Sequence, residues 1–351
     1  NAAMGDTLYI GAGTFVEDLD IDKSVTLSGV NAGLSYDATR RAESYISGGS
    51  ITFSATDITL DGLYLLDTFV DRFRDNASGL TIENTVLEHT YVLEEFVAME
   101  TNYGDRYMIK GYSSVTSVSI ENVQIIGPGK DAYATTSAIS SLTTPSHFFI
   151  GGIDFNQVND SQVINVLIED VSRYSFGISN TSSGILVQDL TVKNSGHSSS
   201  QFMAALAFFS RAPGYPTNIT LSGVFSITNV PIGLDIRGIS LAQVTTSGFS
   251  LTVNAVGIDM FGLNESGAIP ESLGNDDALA QALGATLRWQ VTGVSGTSIG
   301  NITHVGLLEA SGGKDLANYF IANPYGPNPF TQTFQILDID VVVVLEKTEF
   351  E

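Results

Sequence analysis

Apolar residues alternate with Thr, Ser, Asn and Asp along most of the chain, in short runs that glycine, asparagine or aspartate interrupts. One run, "ITFSATDITLDGLYLLD", begins at Ile51, and another, "VTSVSIENVQIIGPG", begins at Val115. Alternation with a period of two residues is typical of β-strands that have one buried face. Asn, Asp and Gly tolerate the left-handed backbone of tight corners. The pattern therefore predicts many short strands, each ended by a sharp corner.

The alternating runs recur about every two dozen residues, which is the period of a solenoid repeat. The best-matched pair is "SGVFSITNVPIGLDI" and "SGFSLTVNAVGIDM", which begin at Ser222 and Ser247 and carry Gly233 and Gly257, 24 positions apart. Leucine-rich repeats would need a regular Leu and Asn framework, and propeller blades need about 40 residues each. The predicted fold is therefore all-β: a right-handed single-stranded parallel β-helix with loop insertions and one short helix.

The opening segments carry a resemblance to a known group of proteins. "GDTLYIGAGTF" and "DKSVTLSGVNAG", followed by "ITFSATDITLDGLYLLD", resemble the first coils of pectate-lyase-like β-helix proteins, including the NosD-like repeat proteins. The resemblance covers about residues 5–66 and extends diffusely to about residue 310. It implies coils with asparagine or glycine corners. Lyases, esterases, adhesins and phage spikes share such coils, so the resemblance implies no particular activity.

The repeat predicts a β-helix over residues 1–310 and a C-terminal extension with a terminal strand over 311–351. Stretches that break the repeat predict insertions at about 91–112, 127–149, 196–217 and 265–289. The last of these includes Glu271 to Trp289, which is predicted to form the short helix because acidic residues occupy its first turn.

The first two insertions are rich in aromatic residues. Long loops on one side of a solenoid usually form its binding face, and exposed aromatic rings can stack on sugars or contact a protein. Tyr103, Tyr107, Phe148 and Phe149 are therefore candidate binding residues. The alternative is that each insertion packs its aromatic rings onto the wall of the solenoid.

Charge and cysteine content exclude several classes of partner and chemistry. The 351 residues include 38 Asp and Glu against 15 Lys and Arg, a formal charge of -23, and no cysteine. A negative field repels nucleic acid and anionic membranes, and it suits calcium or cationic partners. Disulfides, thiolate metal sites and cysteine nucleophiles are excluded. No apolar run approaches the roughly 20 residues that span a membrane. We expect a processed extracellular or cell-surface protein, since the chain starts at Asn1 without a signal-like stretch.

A Gly-aliphatic-Asp-apolar motif occurs three times and places aspartates at Asp154, Asp235 and Asp259. The flanking apolar residues should point inward, so each Asp should point outward. Asp235 and Asp259 lie one repeat apart and are expected to stack at about 4.8 Å. Two carboxylates at that distance favour a shared cation, and calcium prefers such oxygen ligands. The alternative is that both aspartates only cap turns.

The resemblance adds a catalytic candidate to this pair. Lyases of the pectate-lyase-like superfamily hold calcium with carboxylates on an outer sheet and use an Arg or Lys as the base. This implies Arg237, which follows Asp235 on the same outward face, as the candidate base, with Asp235 and Asp259 as candidate calcium ligands.

The chain ends predict self-association. The first strand begins at about Thr7, and the segment "FTQTFQILDIDVVVVLEKTEF" from Phe330 is strand-like and apolar. The open ends of a β-helix carry unpaired backbone groups, and a terminal strand can complete a neighbour by strand addition. Head-to-tail contacts of this kind give an open polymer. The alternative is that the tail folds back on its own coil.

Three functions fit these observations. The first is a secreted or cell-surface structural or adhesive protein that forms a homo-oligomer through its chain termini. The second is a carbohydrate-active enzyme, in particular a calcium-dependent polysaccharide lyase. The third is a glycan-binding phage or adhesin module. No nucleic-acid partner and no membrane insertion are expected.

Overall fold

The structure is a computed structural model, and it consists of short β-strands that pair side by side into parallel stacks. The described residues are 2–73, 77–90, 106–129, 150–171, 174–195, 204–209, 216–228, 230, 232–235, 244–254, 288–292, 299–302, 330–336 and 339–345. Within these residues there are 22 strands and no α-helix, and hence no helix long and apolar enough to cross a membrane.

The first stack begins with four three-residue strands, β1 (Thr7–Tyr9), β4 (Thr26–Ser28), β6 (Thr59–Asp61) and β8 (Thr81–Glu83). It continues through parts of longer strands, β11 (Ser119–Ile126), β12 (Ile150–Glu169), β14 (Ser183–Lys193), β16 (Ile219–Thr228) and β18 (Val244–Asn254). All neighbours in this stack are parallel.

The second stack contains β2 (Gly13–Val16), β9 (Val86–Glu88) and the first halves of β5 (Ser44–Phe53) and β7 (Tyr64–Phe73). The C-terminal halves of β11, β12, β14, β16 and β18 extend it. It ends at β22 (Ile339–Leu345), which is parallel to β18 and antiparallel to β21 (Phe330–Ile336).

The third stack contains β3 (Leu19–Ile21), the second halves of β5 and β7, β10 (Arg106–Thr116) and the start of β12. It continues with β13 (Phe176–Ser179), β15 (Ala204–Phe209) and β17 (Ile232–Asp235). Beyond β17 the pairing becomes antiparallel, to β19 (Arg288–Thr292) and then β20 (Ile299–Ile302). From β1 to β18 the chain visits the stacks in turn.

Aliphatic side chains fill the space between the stacks. From β4 to β16 of the first stack, one register column consists of buried aliphatic residues only: Leu27, Leu60, Ile82, Ile120, Val163, Val187 and Leu221. Burying each such side chain contributes about 1.5–3 kcal/mol. The expectation that Ile, Leu, Val and Phe point inward is confirmed, because these residue types make up most of the continuous core.

Asparagines occupy the corner between the first and second stacks at three successive levels. Asn84, Asn122 and Asn165 have φ of 51°, 54° and 51°, which is the left-handed conformation. The Asn165 amide donates to Oδ1 of Asn122 at 2.8 Å, and the Asn122 amide donates to Oδ1 of Asn84 at 3.4 Å. The predicted asparagine corners are therefore present.

The structure differs from the expected insertion boundaries. Residues 106–112, placed in the first insertion, belong to β10, and 204–209, placed in the third, form β15. Arg288 and Trp289 lie in β19, although Trp289 was expected in the helix. Each segment forms backbone pairs with a neighbouring strand, and this tertiary pairing outweighs the local break in alternation. Apart from residues 127–129 and 216–217, which are described but lie outside the strands, the remainder of the insertions and of the predicted helix lies outside the described residues.

The C-terminal strand pairs within its own chain. Leu251 to Val253 of β18 are in register with Val341 to Val343 of β22. This arrangement corresponds to the alternative in which the tail folds back on its own coil. Oligomerisation through the chain termini stays a prediction.

Candidate functional site

Three irregular segments of the sequence enter neighbouring strands of the third stack. Segments 91–105, 130–149 and 196–203 are directly followed by β10, β12 and β15. β10 pairs with β12, and β13 lies between β12 and β15. Because these strands are parallel, the segments join the stack at the same edge. The outer surface of the third stack next to this edge is therefore the candidate site.

Tyr107 forms the base of the site and is buried, with 4% of its surface exposed. It clusters with Tyr174, Ala204 and Ala207, apart from the main core. Its register partner is Gly151, where an added Cβ would lie 2.3 Å from Cε1 of the Tyr107 ring. The ring therefore requires glycine on the next strand. Tyr107 was a candidate exposed binding residue, and the structure instead gives the alternative, a ring packed onto the wall.

Lys110 and Asp154 form an ion pair beside this ring. The Lys110 Nζ lies 3.8 Å from Oδ2 of Asp154 and 5.4 Å from the centroid of the Tyr107 ring. The side chains are 14% and 6% exposed. Ile153 and Phe155 belong to the interior core, so Asp154 points outward as its motif predicted. A partly desolvated ammonium, carboxylate and ring together form a polar centre on an apolar base.

Small residues follow Asp154 along the stack. Asp154 is in register with Gly177, then Ala207, then Asp235. Three strand spacings correspond to about 14 Å. Gly177 and Ala207, which lie between the two aspartates, are both buried, so the column continues from the Lys110–Asp154 pair as a covered strip of small residues.

The predicted calcium pair is not tested by this geometry. Asp259 and Arg237 lie outside the described residues, and so do Tyr103, Phe148 and Phe149. The backbone of Asp235 is in register with Ala207 on one side and with Arg288 of antiparallel β19 on the other. For Asp259 to stack directly on Asp235, its strand would have to take the place that β19 occupies beside β17. Within the described part of the chain, no group of three acidic or histidine residues is arranged to hold a metal ion. Calcium binding stays a prediction.

Sequence reasoning missed Lys110 and Tyr174. Lys110 fell inside the predicted first insertion, and its partner is 44 positions further along the chain. The signal that could have found it is the segment "RYMIKGY", in which apolar and polar residues alternate closely enough for a strand. The tertiary pairing of β10 with β12 makes that strand visible.

No protein-family model and no curated protein sequence matches this chain. Two solved structures are similar at low identity. A PL6 alginate lyase in complex with a trisaccharide is 14% identical, with a TM-score of 0.43 over 75% of this chain and 57% of that one. A protein assigned to the glycosyl hydrolases, from Parabacteroides merdae ATCC 43184, is 12% identical, with a TM-score of 0.30 over 58% of this chain and 83% of that one. This chain thus spans about 57% of the length of the alginate lyase.

Proposed function

We propose that the fold is a right-handed single-stranded parallel β-helix. The support is the order of strands: the chain visits three parallel stacks in turn, with left-handed corner residues between them. Parallel strands joined by crossover connections are right-handed in about 98% of cases. A parallel arrangement of this kind forms a rod whose outer faces carry polar side chains.

The proposed role is that of a secreted or cell-surface adhesive protein whose binding face is the outer surface of the third stack. The observation that carries this proposal is the Lys110–Asp154 ion pair, which lies on that face near the aligned first residues of β10 and β12. The ammonium supplies hydrogen-bond donors and the carboxylate supplies acceptors, which together match the hydroxyl groups of a polysaccharide. Binding residues commonly lie on loops that a rigid scaffold positions.

Glycan-array binding followed by calorimetry tests the adhesive face. The variant Lys110→Met keeps the apolar stem but removes the ammonium, and we expect it to weaken binding about tenfold or more, as the loss of a charged hydrogen bond does. Lys193→Met removes a lysine from an exposed position at the end of β14, and should bind normally. If Lys110→Met and the wild type bind every glycan recovered from the array with equal affinity, the proposal is contradicted.

Self-association is the structural part of the proposed role. Leu8 and Tyr9 of β1 and Phe15 and Val16 of β2 are exposed, from 39% to 84%. Within the described residues, β1 pairs only with β4 and β2 only with β5. An apolar strand edge of this type favours strand addition. A second copy is the proposed occupant, since the parallel levels from β1 to β18 repeat the same three-strand section.

Light scattering over a range of concentrations tests this contact. The double variant Tyr9→Lys and Val16→Lys places charges on the edge and should convert higher assemblies to monomer. A wild-type protein that is monomeric at every concentration would remove the self-association. If a longer chain with additional N-terminal residues covers this edge, the edge would be assigned to contacts within that longer chain and not to a second copy.

A polysaccharide lyase is the second candidate, favoured by a lysine amine held beside a carboxylate on the outer sheet. In β-elimination on a uronate, a base takes the C5 proton and the electron pair forms the C4–C5 double bond. The C4–O bond breaks, and the leaving oxygen takes a proton. The absorbance of the unsaturated product, measured on uronate polymers with calcium and with a chelator, tests this candidate. Product formation that Lys110→Met abolishes would support it, and absence of product from every polymer would exclude it.

A further inference from the structure

A groove lies at the corner where the third stack turns into the first, on a different face from the Lys110–Asp154 pair. Its volume is about 360 Å³, within the range of small-molecule sites. Its lining comprises Ser117, Ser119, Asp160, Gln162, Gly184 and Leu186. The groove lies on β12 and its neighbours β11 and β14, all in the continuous part of the first stack.

A glycine at one level of the corner column lets the Asp160 carboxylate lie over the backbone beside the groove. Ser117, Asp160 and Gly184 occupy successive levels of this corner, with φ of 60°, 47° and 69°. An added Cβ at Gly184 would lie 2.6 Å from Oδ1 of Asp160. The Asp160 carboxylate therefore occupies the place that a side chain at position 184 would take, and from there it lines the groove.

The chemistry of the groove is that of a hydroxyl-binding site. Asp160 is exposed, and in the described part of the chain no basic side chain lies within ion-pair distance of it. The amide nitrogen of Gln162 donates to Oγ of Ser119 at 3.1 Å and to Oε1 of Glu121 at 2.6 Å. This leaves the amide oxygen of Gln162 and the Asp160 carboxylate as acceptors. Such a lining suits donors and repels anions.

Leu186 adds an apolar surface to the same groove. It is half-buried and is in register with Gln162. A ligand that presents an apolar face to Leu186 and hydroxyl donors to Asp160 uses both parts of the lining. A sugar ring has this combination, with C–H groups on its faces and hydroxyl groups around its edge.

We propose that this groove binds a neutral sugar ring, with the Asp160 carboxylate accepting hydrogen bonds from adjacent hydroxyl groups and Leu186 under the ring. Carboxylate acceptors give the stronger, charge-assisted type of hydrogen bond. The site is independent of the proposed adhesive face, because it uses neither Lys110 nor Asp154. It adds a second carbohydrate contact on another face of the rod.

Saturation-transfer NMR with methyl α-D-mannoside, methyl β-D-galactoside and N-acetylglucosamine tests the proposal, with glucuronate as the anionic comparison. We expect transfer to at least one neutral sugar and none to glucuronate. Asp160→Asn keeps a residue that tolerates the left-handed corner and should weaken binding about tenfold or more. The matched control is Asp57→Asn: Asp57 has φ of 54° and lies on the same corner column, three levels earlier and outside the groove.

The outcomes separate this site from the adhesive face. Loss of transfer in Asp160→Asn, with Asp57→Asn and Lys110→Met unchanged, is the expected result. Unchanged thermal unfolding of Asp160→Asn shows that the variant is folded. Transfer to none of the three neutral sugars, or equal transfer in Asp160→Asn and the wild type, would overturn the proposal. If saturation transfer is lost only in Lys110→Met, the sugar binds at the adhesive face and not in the groove.

Discussion

At the scale of single residues, the corner positions combine an unusual backbone with a side-chain ladder. The corner that holds Asn84, Asn122 and Asn165 holds glycine at other levels, as at Gly62 and Gly223, all with positive φ. Glycine meets the backbone requirement without strain, whereas asparagine meets it and also bonds to the level below. The ladder of amides therefore stabilises the stacking of levels as well as the corner itself.

The two contributions at Asn122 can be separated by substitution. Asn122→Gly removes the side-chain bonds and also the Cβ, whereas Asn122→Ala removes the same bonds but keeps a Cβ in the left-handed region, which alanine tolerates less well than asparagine. We expect the alanine variant to lose about 1–3 kcal/mol of unfolding free energy and the glycine variant to lose clearly less. Urea midpoints measure both. A glycine variant as unstable as the alanine variant would show that the backbone contributes nothing at this corner.

Carboxylates that stack on adjacent levels shift each other's ionisation. Glu83 is in register with Asp61 on one side and Glu121 on the other. Burial, together with these two carboxylates, raises the pKa of Glu83 above its usual 4.5. The folded state therefore holds the proton more tightly than the unfolded state. This contribution to stability is complete below pH 4.5 and is lost as the pH rises through the folded-state pKa.

Glu83→Gln should accordingly be more stable than the wild type at pH 7, and the difference should vanish below pH 4.5. Thermal unfolding across this range measures it. Glu17→Gln removes one negative charge at an exposed position of the chain and is the control for net charge. The same gain at pH 7 in both variants would mean that overall charge, and not the carboxylate column, causes the effect.

At the scale of elements, the segment that joins β4 to β5 acts as a strap along the asparagine corner. We define this strap as residues 29–43. The Gly33 amide donates to Oδ1 of Asp61 at 3.1 Å, and the Tyr36 hydroxyl contacts Oδ1 of Asn165 at 3.5 Å. Between them Arg40 donates to the Asn84 carbonyl at 2.8 Å. One connection thus ties together several levels of the stacked strands.

Arg40 is the main polar anchor of the strap. It also donates to the Leu63 carbonyl at 3.2 Å and forms a paired contact with Glu43, both side chains being 11% exposed. Arg40→Ala should lower stability by about 1–3 kcal/mol, since it leaves the half-buried Glu43 carboxylate without its ion-pair partner, and should speed proteolysis within the strap. The exposed neighbour Arg41→Ala is the matched control. If a protease cleaves the strap equally slowly in both variants, the anchoring of the strap by Arg40 is contradicted.

The pairing of β16 with β18 shows that a sequence repeat can predict the wrong strand register. Ser222 pairs with Ser247, as the best-matched repeat predicts, but a bulge then shifts the register so that Phe225 pairs with Leu251. Continued at the 25-residue spacing of the two serines, the repeat would have paired Phe225 with Ser250. The bulge inserts one residue and brings Leu251 into register with Phe225, and no local pattern marks that insertion.

At the scale of the whole molecule, charge is the dominant feature outside the core. A net charge of -23 spread over 351 residues opposes the compact state through self-repulsion. Added salt should therefore raise the melting temperature between about 0.01 M and 0.15 M, where the screening length falls from about 30 Å to about 8 Å. Sodium chloride and sodium sulfate at equal ionic strength should give the same shift. A melting temperature that stays constant or falls would show that self-repulsion is not limiting.

Much of the fold follows from the sequence. The inward aliphatic column through Leu60, Ile82 and Ile120 is visible in the alternation, and the corner residues Asn84 and Asn122 are visible in its interruptions. The candidate site is different. Asp154 was identified by its motif, but its partner Lys110 was placed in an insertion, and the groove beside Asp160 had no sequence signal.

The sequence by itself determined most of the strands, their corners, the interior residue types and the negative surface, because each depends on a short period or on composition. The tertiary structure alone revealed the strands inside the predicted insertions and decided which outward side chains meet. Lys110 reaches Asp154, and Gly184 lets the Asp160 carboxylate lie beside the groove. Both depend on register, which connection lengths and bulges set over distances that no local pattern encodes.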